Sequence, residues 1–221
     1  MSQVIDAQID GNSRVFFVTG DRTAIVDAGN PGSGRKILKA LKAAGIPQDH
    51  VSLIIITHGH IDHYGSAHEL KAALNVPVMA GQPDAAFIER GANAPAVALP
   101  AGTASRASRE WNDCAVNVDI PVTEDMSLRS YGIDARALLT PGHTDGSLSV
   151  LAGDGGCVTG DFLASLYSGE PGLVGRSLRK LADGGAKYFY PSHAPCVEAS
   201  KVFEMVTEIE KEDLENTTSP G

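Results

Sequence analysis

Val51 to Ile56 is apolar at every position but Ser52, and it runs without a spacer into Thr57-His58-Gly59-His60-Ile61-Asp62-His63. An unbroken apolar run of this length, with no polar alternation, predicts a strand buried on both faces. A strand of that kind needs a covering layer on each side, so it belongs inside a layered α/β protein, and its carboxyl end delivers a histidine-rich loop.

The surrounding patterns agree with layers. Val4 to Ile9, Val15 to Thr19 and Thr23 to Val26 are short β-type runs separated by Gly11-Asn12 and Gly20-Asp21, which predicts an antiparallel meander. After Gly29-Asn30-Pro31-Gly32, the segment Arg35 to Ala44 carries Ile37, Leu38 and Leu41 at helical spacing and stops at Gly45. A second helix is predicted near Ser66 to Leu74, a strand at Val76 to Ala80 and a short helix at Asp84 to Glu89. Gly91 to Trp111 loses periodicity and is rich in Ala, Gly, Pro, Ser and Thr, the composition of a surface excursion and a candidate lid. Further strands are predicted at Asp119 to Val122, Ile133 to Leu139, Ser147 to Leu151, Cys157 to Thr159 and Tyr188 to Tyr190, with a helix at Ser177 to Leu181. Ser200 to Glu212 places Val202, Phe203, Val206 and Ile209 on one helical face. Sheet followed by helix thus occurs in both halves, and the expected organisation is one domain over residues 1–212 with an acidic tail over 213–221.

Composition removes several classes of function. The chain has 18 basic against 27 acidic residues and a net charge of −9, which leaves no electrostatic footprint for a phosphate backbone or an anionic membrane. Cys114, Cys157 and Cys196 are odd in number and widely spaced, fitting neither a disulfide framework nor a paired-thiolate metal knuckle. They read as reduced, mostly buried thiols, with Cys196 as a small core residue. Met1 to Asp10 has neither a basic start nor a long apolar stretch, and no spanning-length apolar run occurs elsewhere. The expectation is a cytoplasmic protein with a small-molecule substrate, no nucleic-acid partner and no membrane partner. Oligomeric state is left open.

Chemistry concentrates after the strands. His58, His60, Asp62 and His63 place four potential metal ligands within six residues. His143 follows the Ile133 to Leu139 strand in Thr140-Pro141-Gly142-His143-Thr144, Asp161 follows Cys157 to Thr159 in Thr159-Gly160-Asp161, and His193 follows Tyr188 to Tyr190 in Pro191-Ser192-His193. In each case a strand ends, a small or rigid residue turns the chain, and a ligand appears at the carboxyl edge, where open α/β sheets place their sites. Imidazole and carboxylate without thiolate is the donor set of catalytic rather than closed structural zinc.

These motifs, T-H-G-H-I-D-H, T-P-G-H-T, T-G-D and P-S-H, resemble the successive signatures of the metallo-β-lactamase-fold superfamily, in the same order and over nearly the whole chain. The resemblance implies a four-layer αβ/βα sandwich, α/β in class, with a two-metal site along one edge. It implies His58, His60 and His143 on a first metal, Asp62, His63 and His193 on a second, and Asp161 bridging them. The metals would be two divalent ions, zinc first, with manganese or iron as alternatives. Val26-Asp27-Ala28-Gly29 matches a further family segment, which makes Asp27 a residue that orients a ligand from behind. Ser192-His193-Ala194 departs from the family's frequent Gly-His-Gly without removing the ligand.

The function implied is a metal-dependent hydrolase that uses an activated hydroxide on a small ester, thioester or lactone, with Asp62 holding the proton of the attacking water. The alternative is an iron persulfide dioxygenase-like enzyme of the same fold, ligated by His58, His143 and Asp161. Only 28 residues follow His193, which disfavours the glyoxalase II branch with its added glutathione-binding helices. Gly59, where flavin-linked di-iron relatives carry glutamate, disfavours that branch too. Tyr64 reads as packing, and His50 and His68 as solvated or capping residues.

Overall fold

The computed structural model describes residues 2–7, 9, 13–96, 110–168 and 171–207. Two six-stranded sheets face each other. In chain order, the first has strands β1 (Gln3–Asp6), β2 (Phe16–Thr19), β3 (Thr23–Val26), β4 (Val51–Ile56), β5 (Val78–Gly81) and β6 (Ile120–Val122), paired in that order. β1 to β3 form the expected antiparallel meander, and β3 to β6 run parallel. The second sheet contains β7 (Met126–Ser127), β8 (Ala135–Leu139), β9 (Leu148–Ala152), β10 (Gly156–Gly160), β11 (Tyr188–Pro191) and β12 (Val197–Glu198), also paired in sequence order. Only β10 and β11 are parallel in that sheet.

The side-chain alternation of β4 explains the layering. Leu53 and Ile55 point between the sheets and meet Phe16, Val18, Val26, Leu148 and Val150. Ile54 and Ile56 point outward, under Ile37 and Leu41 of helix α1 (Gly34–Ala43). Leu70 of α3 (Ala67–Leu74) joins the same outer cluster, and a one-turn helix α2 (Ile61–Tyr64) lies between the histidine loop and α3. Helix α4 (Gln82–Ile88) adds Ile88 to this layer. On the far side, a one-turn α5 (Ser165–Ser168) precedes α6 (Pro171–Asp183). Val174, Leu178 and Leu181 of α6, with Val202 of helix α7 (199–207), cover Leu138, Leu151, Cys157 and Phe189. The order is helix, sheet, sheet, helix, the αβ/βα sandwich expected.

Some elements differ from the sequence expectation. Helix α6 starts six residues before the predicted Ser177, because Gly172 and Gly175 hide an apolar stripe that already begins at Val174. β7 and β12 have two residues each, too short to show an alternation. β1 stops at Asp6 instead of Ile9. Cys114 and Cys157 are buried as expected, but Cys196 is exposed. It lies in the connection from β11 to β12, just after Pro195, where the chain runs over the surface rather than through a core. The candidate lid falls largely on residues 97–109, outside the described residues, as does the part of the expected Ser200 to Glu212 helix beyond residue 207. Among the described residues, no helix is long and apolar enough to cross a membrane.

Candidate metal centre

The strands that face each other across the sandwich end at one edge. β4 leads into His58, His60, Asp62 and His63; β8 leads to His143; β10 leads to Asp161; and β11 leads to His193. Two tight backbone links lock these ends together. Leu148 N–H donates to Thr57 O at 2.7 Å, joining the sheets, and Ser192 N–H donates to Gly160 O at 3.1 Å. Gly160 adopts φ +55°, and a Cβ there would lie 2.5 Å from Thr57 Oγ1, so only glycine lets β10 approach β4 and turn into Asp161.

All seven predicted ligands converge, in two groups. Ligand atoms of His58, His60, His143 and Asp161 lie within 4.8 Å of one another, as do those of Asp62, His63 and His193. In the first group, His60 Nδ1 is 3.0 Å from both His58 Nε2 and His143 Nε2. Asp161 Oδ2 stands between the groups, 3.8 Å from His58 Nε2, 3.6 Å from His143 Nε2, 3.6 Å from His63 Nε2 and 3.3 Å from His193 Nε2. Asp62 Oδ2 closes the second group at 3.3 Å from His193 Nε2 and 3.6 Å from His63 Nε2.

The tautomers follow from what each ring does on its other side. Asp27 is fully buried, at φ 64°, directly after β3. Its Oδ1 accepts Thr57 N–H at 2.8 Å, and its Oδ2 accepts the Thr57 hydroxyl at 2.9 Å and His63 Nδ1–H at 2.8 Å. With its proton committed to Asp27, the Thr57 hydroxyl oxygen accepts from His58 Nδ1–H at 3.1 Å. His60 Nε2–H donates to Ala94 O at 3.1 Å. His58 Nε2, His60 Nδ1 and His63 Nε2 therefore all carry lone pairs into the site. Two lone pairs facing each other at 3.0 Å repel unless a cation lies between them, and His63 Nε2 and Asp161 Oδ1 are buried without any hydrogen-bond partner. A divalent cation bound among these groups would satisfy these atoms, and the donor chemistry is that of a catalytic zinc site.

The electrostatics point the same way for the first group. Burial pushes His58, His60 and His143 below the usual histidine range, His143 to about 4, so all three are neutral ligands at neutral pH. Burial pushes against ionisation of Asp161 as well, but His193, His63 and His58 overcome it and hold the carboxyl well below its ordinary value. His63 is the exception and moves upward: burial disfavours its charge, but Asp27 and Asp161 on either side outweigh that effect, so without an ion the charged ring is favoured and a metal at Nε2 would displace a proton.

One functional residue gave no sign in the sequence. Asp84, in the first turn of α4 and 2 % exposed, accepts Gly59 N–H at 2.7 Å, the Thr144 hydroxyl at 2.7 Å and Gly146 N–H at 3.1 Å. It ties the loop of His58 and His60 to the loop of His143. Burial raises its pKa, although all three donors stabilise the charged form. Gly59 is constrained from the same side, since a Cβ there would lie 2.9 Å from that of Ala94. Among the set-aside residues, Tyr64 is fully buried with its hydroxyl donating to Ala92 O at 2.9 Å, and His50 is exposed. His68 is half-buried and belongs to neither ligand group.

A family model described as the metallo-beta-lactamase superfamily matches residues 9–193. A protein of Methanocaldococcus jannaschii bearing the name "Probable metallo-hydrolase" is 26 % identical over 151 residues, 68 % of this chain and 66 % of that protein. A hydroxyacylglutathione hydrolase of Alkalilimnicola ehrlichii is 32 % identical over 187 residues, 82 % of this chain and 61 % of the relative. The chain thus spans less than two thirds of the length of these two relatives. Among solved structures, a Cronobacter sakazakii metallo-beta-lactamase superposes with a TM-score of 0.63 at 21 % identity, over 86 % of this chain and 74 % of the other. A subclass B3 metallo-beta-lactamase of Bradyrhizobium japonicum gives 0.62 at 21 % identity, over 87 % and 75 %. At these identities the likeness is one of fold.

Proposed function

The chain belongs to the metallo-beta-lactamase superfamily, and on that premise we propose that it is a two-metal hydrolase of small esters, thioesters or lactones. In this reading His58, His60 and His143 would hold one divalent ion and Asp62, His63 and His193 the other, with Asp161 Oδ2 within 3.8 Å of a ring nitrogen from each group. The observation that carries it is the pair of lone pairs on His58 Nε2 and His60 Nδ1, 3.0 Å apart with both outer nitrogens already spent as donors. Two such ions supply Lewis acidity at the scissile carbonyl and a water whose pKa falls from ~15.7 toward ~7.

The protein's own part is positioning and proton handling. Asp62 is half-buried, and without an ion hydrogen bonding from His193 and the charge of His63 outweigh its burial and hold the carboxyl below its ordinary value; a cation bound beside it would keep it ionised in their place. Its carboxylate can therefore accept the proton of the attacking water as the oxygen adds to the carbonyl carbon, and the leaving oxygen or sulfur departs protonated. Asp27 fixes the ring of His63, and through Thr57 that of His58, so that neither ligand must reorganise during turnover. Asp84 fixes the separation of the two loops. The hydroxyacylglutathione hydrolase name of a similar protein supports placing thioesters, glutathione thioesters included, at the head of the substrate panel.

The test is elemental analysis of the purified protein together with turnover on a thioester, ester and lactone panel. About two zinc or manganese ions per chain with hydrolysis of at least one class is the expected result. Asp161→Ala and Asp62→Ala should each lower turnover by at least about a hundredfold in folded protein. One iron per chain with oxygen consumption on persulfides, or near-normal turnover in both variants, would overturn the proposal.

A further inference from the structure

A cavity of about 450 Å³ opens directly onto two of the seven ligands, Asp161 and His193. One wall comes from the segment after Asp161, with Leu163 and Leu166, and the other from β12 and α7, with Val197, Val202 and Met205. Besides the two ligands, Lys201 is the one ionisable lining residue described. Its side chain is 68 % exposed and 3.7 Å from Glu198, which puts its charge at the solvent rim rather than in the interior. The volume falls within the range of small-molecule sites, but among the described residues the lining lacks the convergent polar groups that would recognise a sugar, a nucleotide or a charged peptide.

Resting on the hydrolase reading above, we propose that this cavity holds an unbranched apolar chain attached to the scissile carbonyl, so that the substrates are alkyl-acyl thioesters, esters or alkyl-substituted lactones. The two walls each carry a ligand at their start, so a chain lying between them has its carbonyl end at Asp161 and His193. The cavity meets the His193 side of the centre; His58, His60 and His143 do not line it. Selectivity follows from burial alone, with each methylene that enters adding about fourfold to affinity until the cavity is full.

The test reads binding, independently of turnover. The zinc-loaded protein is titrated calorimetrically with linear carboxylates from acetate to octanoate, which carry the head group of the hydrolysis product and a growing chain. The dissociation constant should fall about fourfold per methylene through the middle of the series. Leu166→Trp and Met205→Trp, introduced from opposite walls, should each cut the octanoate-to-acetate affinity ratio by about tenfold or more. A flat series in the native protein, or a chain-length preference that neither tryptophan alters, would overturn the proposal. Rising affinity without hydrolysis of octanoyl thioesters, octanoyl esters or alkyl-substituted lactones would break the hydrolase reading and leave the pocket standing, whereas hydrolysis with a flat series would do the reverse.

Discussion

Asp27→Asn isolates the tautomer argument. Asparagine is nearly the same shape and tolerates the left-handed backbone at φ 64°, so the turn after β3 is kept. Thr57 N–H can only donate, and it donates to Oδ1, so the amide must keep its oxygen there and put its NH2 where Oδ2 stood. That NH2 then faces His63 Nδ1 at 2.8 Å. Two donors cannot share the contact, and His63 relieves the conflict by moving its proton to Nε2, the atom that faces Asp62 and Asp161. A protonated Nε2 cannot bind a metal. Losing a charge-assisted hydrogen bond costs about 1.5–3 kcal/mol. At about 1.4 kcal/mol per decade, this weakens the ion at Asp62, His63 and His193 by roughly tenfold to a hundredfold. The other ion should be largely spared, because the Thr57 oxygen keeps a lone pair for His58 Nδ1–H. Zinc competition against a chromophoric chelator resolves the two affinities. Two ions bound to folded Asp27→Asn as tightly as to the native chain would refute the reasoning.

Asp84→Ala leaves the buried Gly59 and Gly146 N–H groups without their acceptor, while the Thr144 hydroxyl can turn to Ser147 Oγ at 2.9 Å; two orphaned donors cost about 2–6 kcal/mol in urea unfolding, and a loss below about 1 kcal/mol contradicts the tie. Chelator removal of both ions should lower Tm by about 11–22 °C if zinc had been present at about a hundred times the dissociation constant of each site, and an unchanged Tm would count against resident metal. Asp119 is held below its ordinary value of 3.8: burial raises it, but Lys71 Nζ, Val78 N–H and Asn117 outweigh that. A depressed carboxylate stabilises above its unfolded value and loses that contribution as pH falls through the folded one. The Tm deficit of Asp119→Asn, a few degrees at pH 7, should therefore close on acidification below 3.8, and a deficit independent of pH would contradict the assignment.

The layers were legible where burial acts on a repeating pattern. β4 was read with its correct ends because two cores need it apolar on both faces, and α1 because one face alone is buried. Helix α6 was read short for the opposite reason: its glycines cost helix propensity, and packing against Leu138, Leu151 and Phe189 supplies what local preference withholds. Cys196 was misplaced because distance along the chain from a buried strand says nothing about which way a loop leaves it.

The ligands and Asp84 divide along the same line. A metal site demands particular atoms, and residues with those atoms, clustered at strand ends, are visible in the chain itself; Asp27 shows because Val26-Asp27-Ala28-Gly29 resembles a segment of the family. A carboxylate that only accepts backbone N–H groups has no such signature, because an acidic residue in the first turn of a helix is ordinary. What distinguishes Asp84 is supplied by its partners. Gly59 and Gly146 have no side chains where Cβ atoms would come within 3.2 Å and 2.6 Å of it, so their amides can reach it. The two glycines and the aspartate form one device, with Gly59 and Gly146 lying 25 and 62 positions from Asp84 on either side, and each alone looks like turn or cap chemistry. It follows that Gly146→Ala should reproduce the defect of Asp84→Ala, and that the double variant should cost less than the sum of the two, since both break the same contact. Additive costs in the urea-unfolding cycle would mean that Asp84 and Gly146 act independently, and the loops would then owe their register to the strands alone.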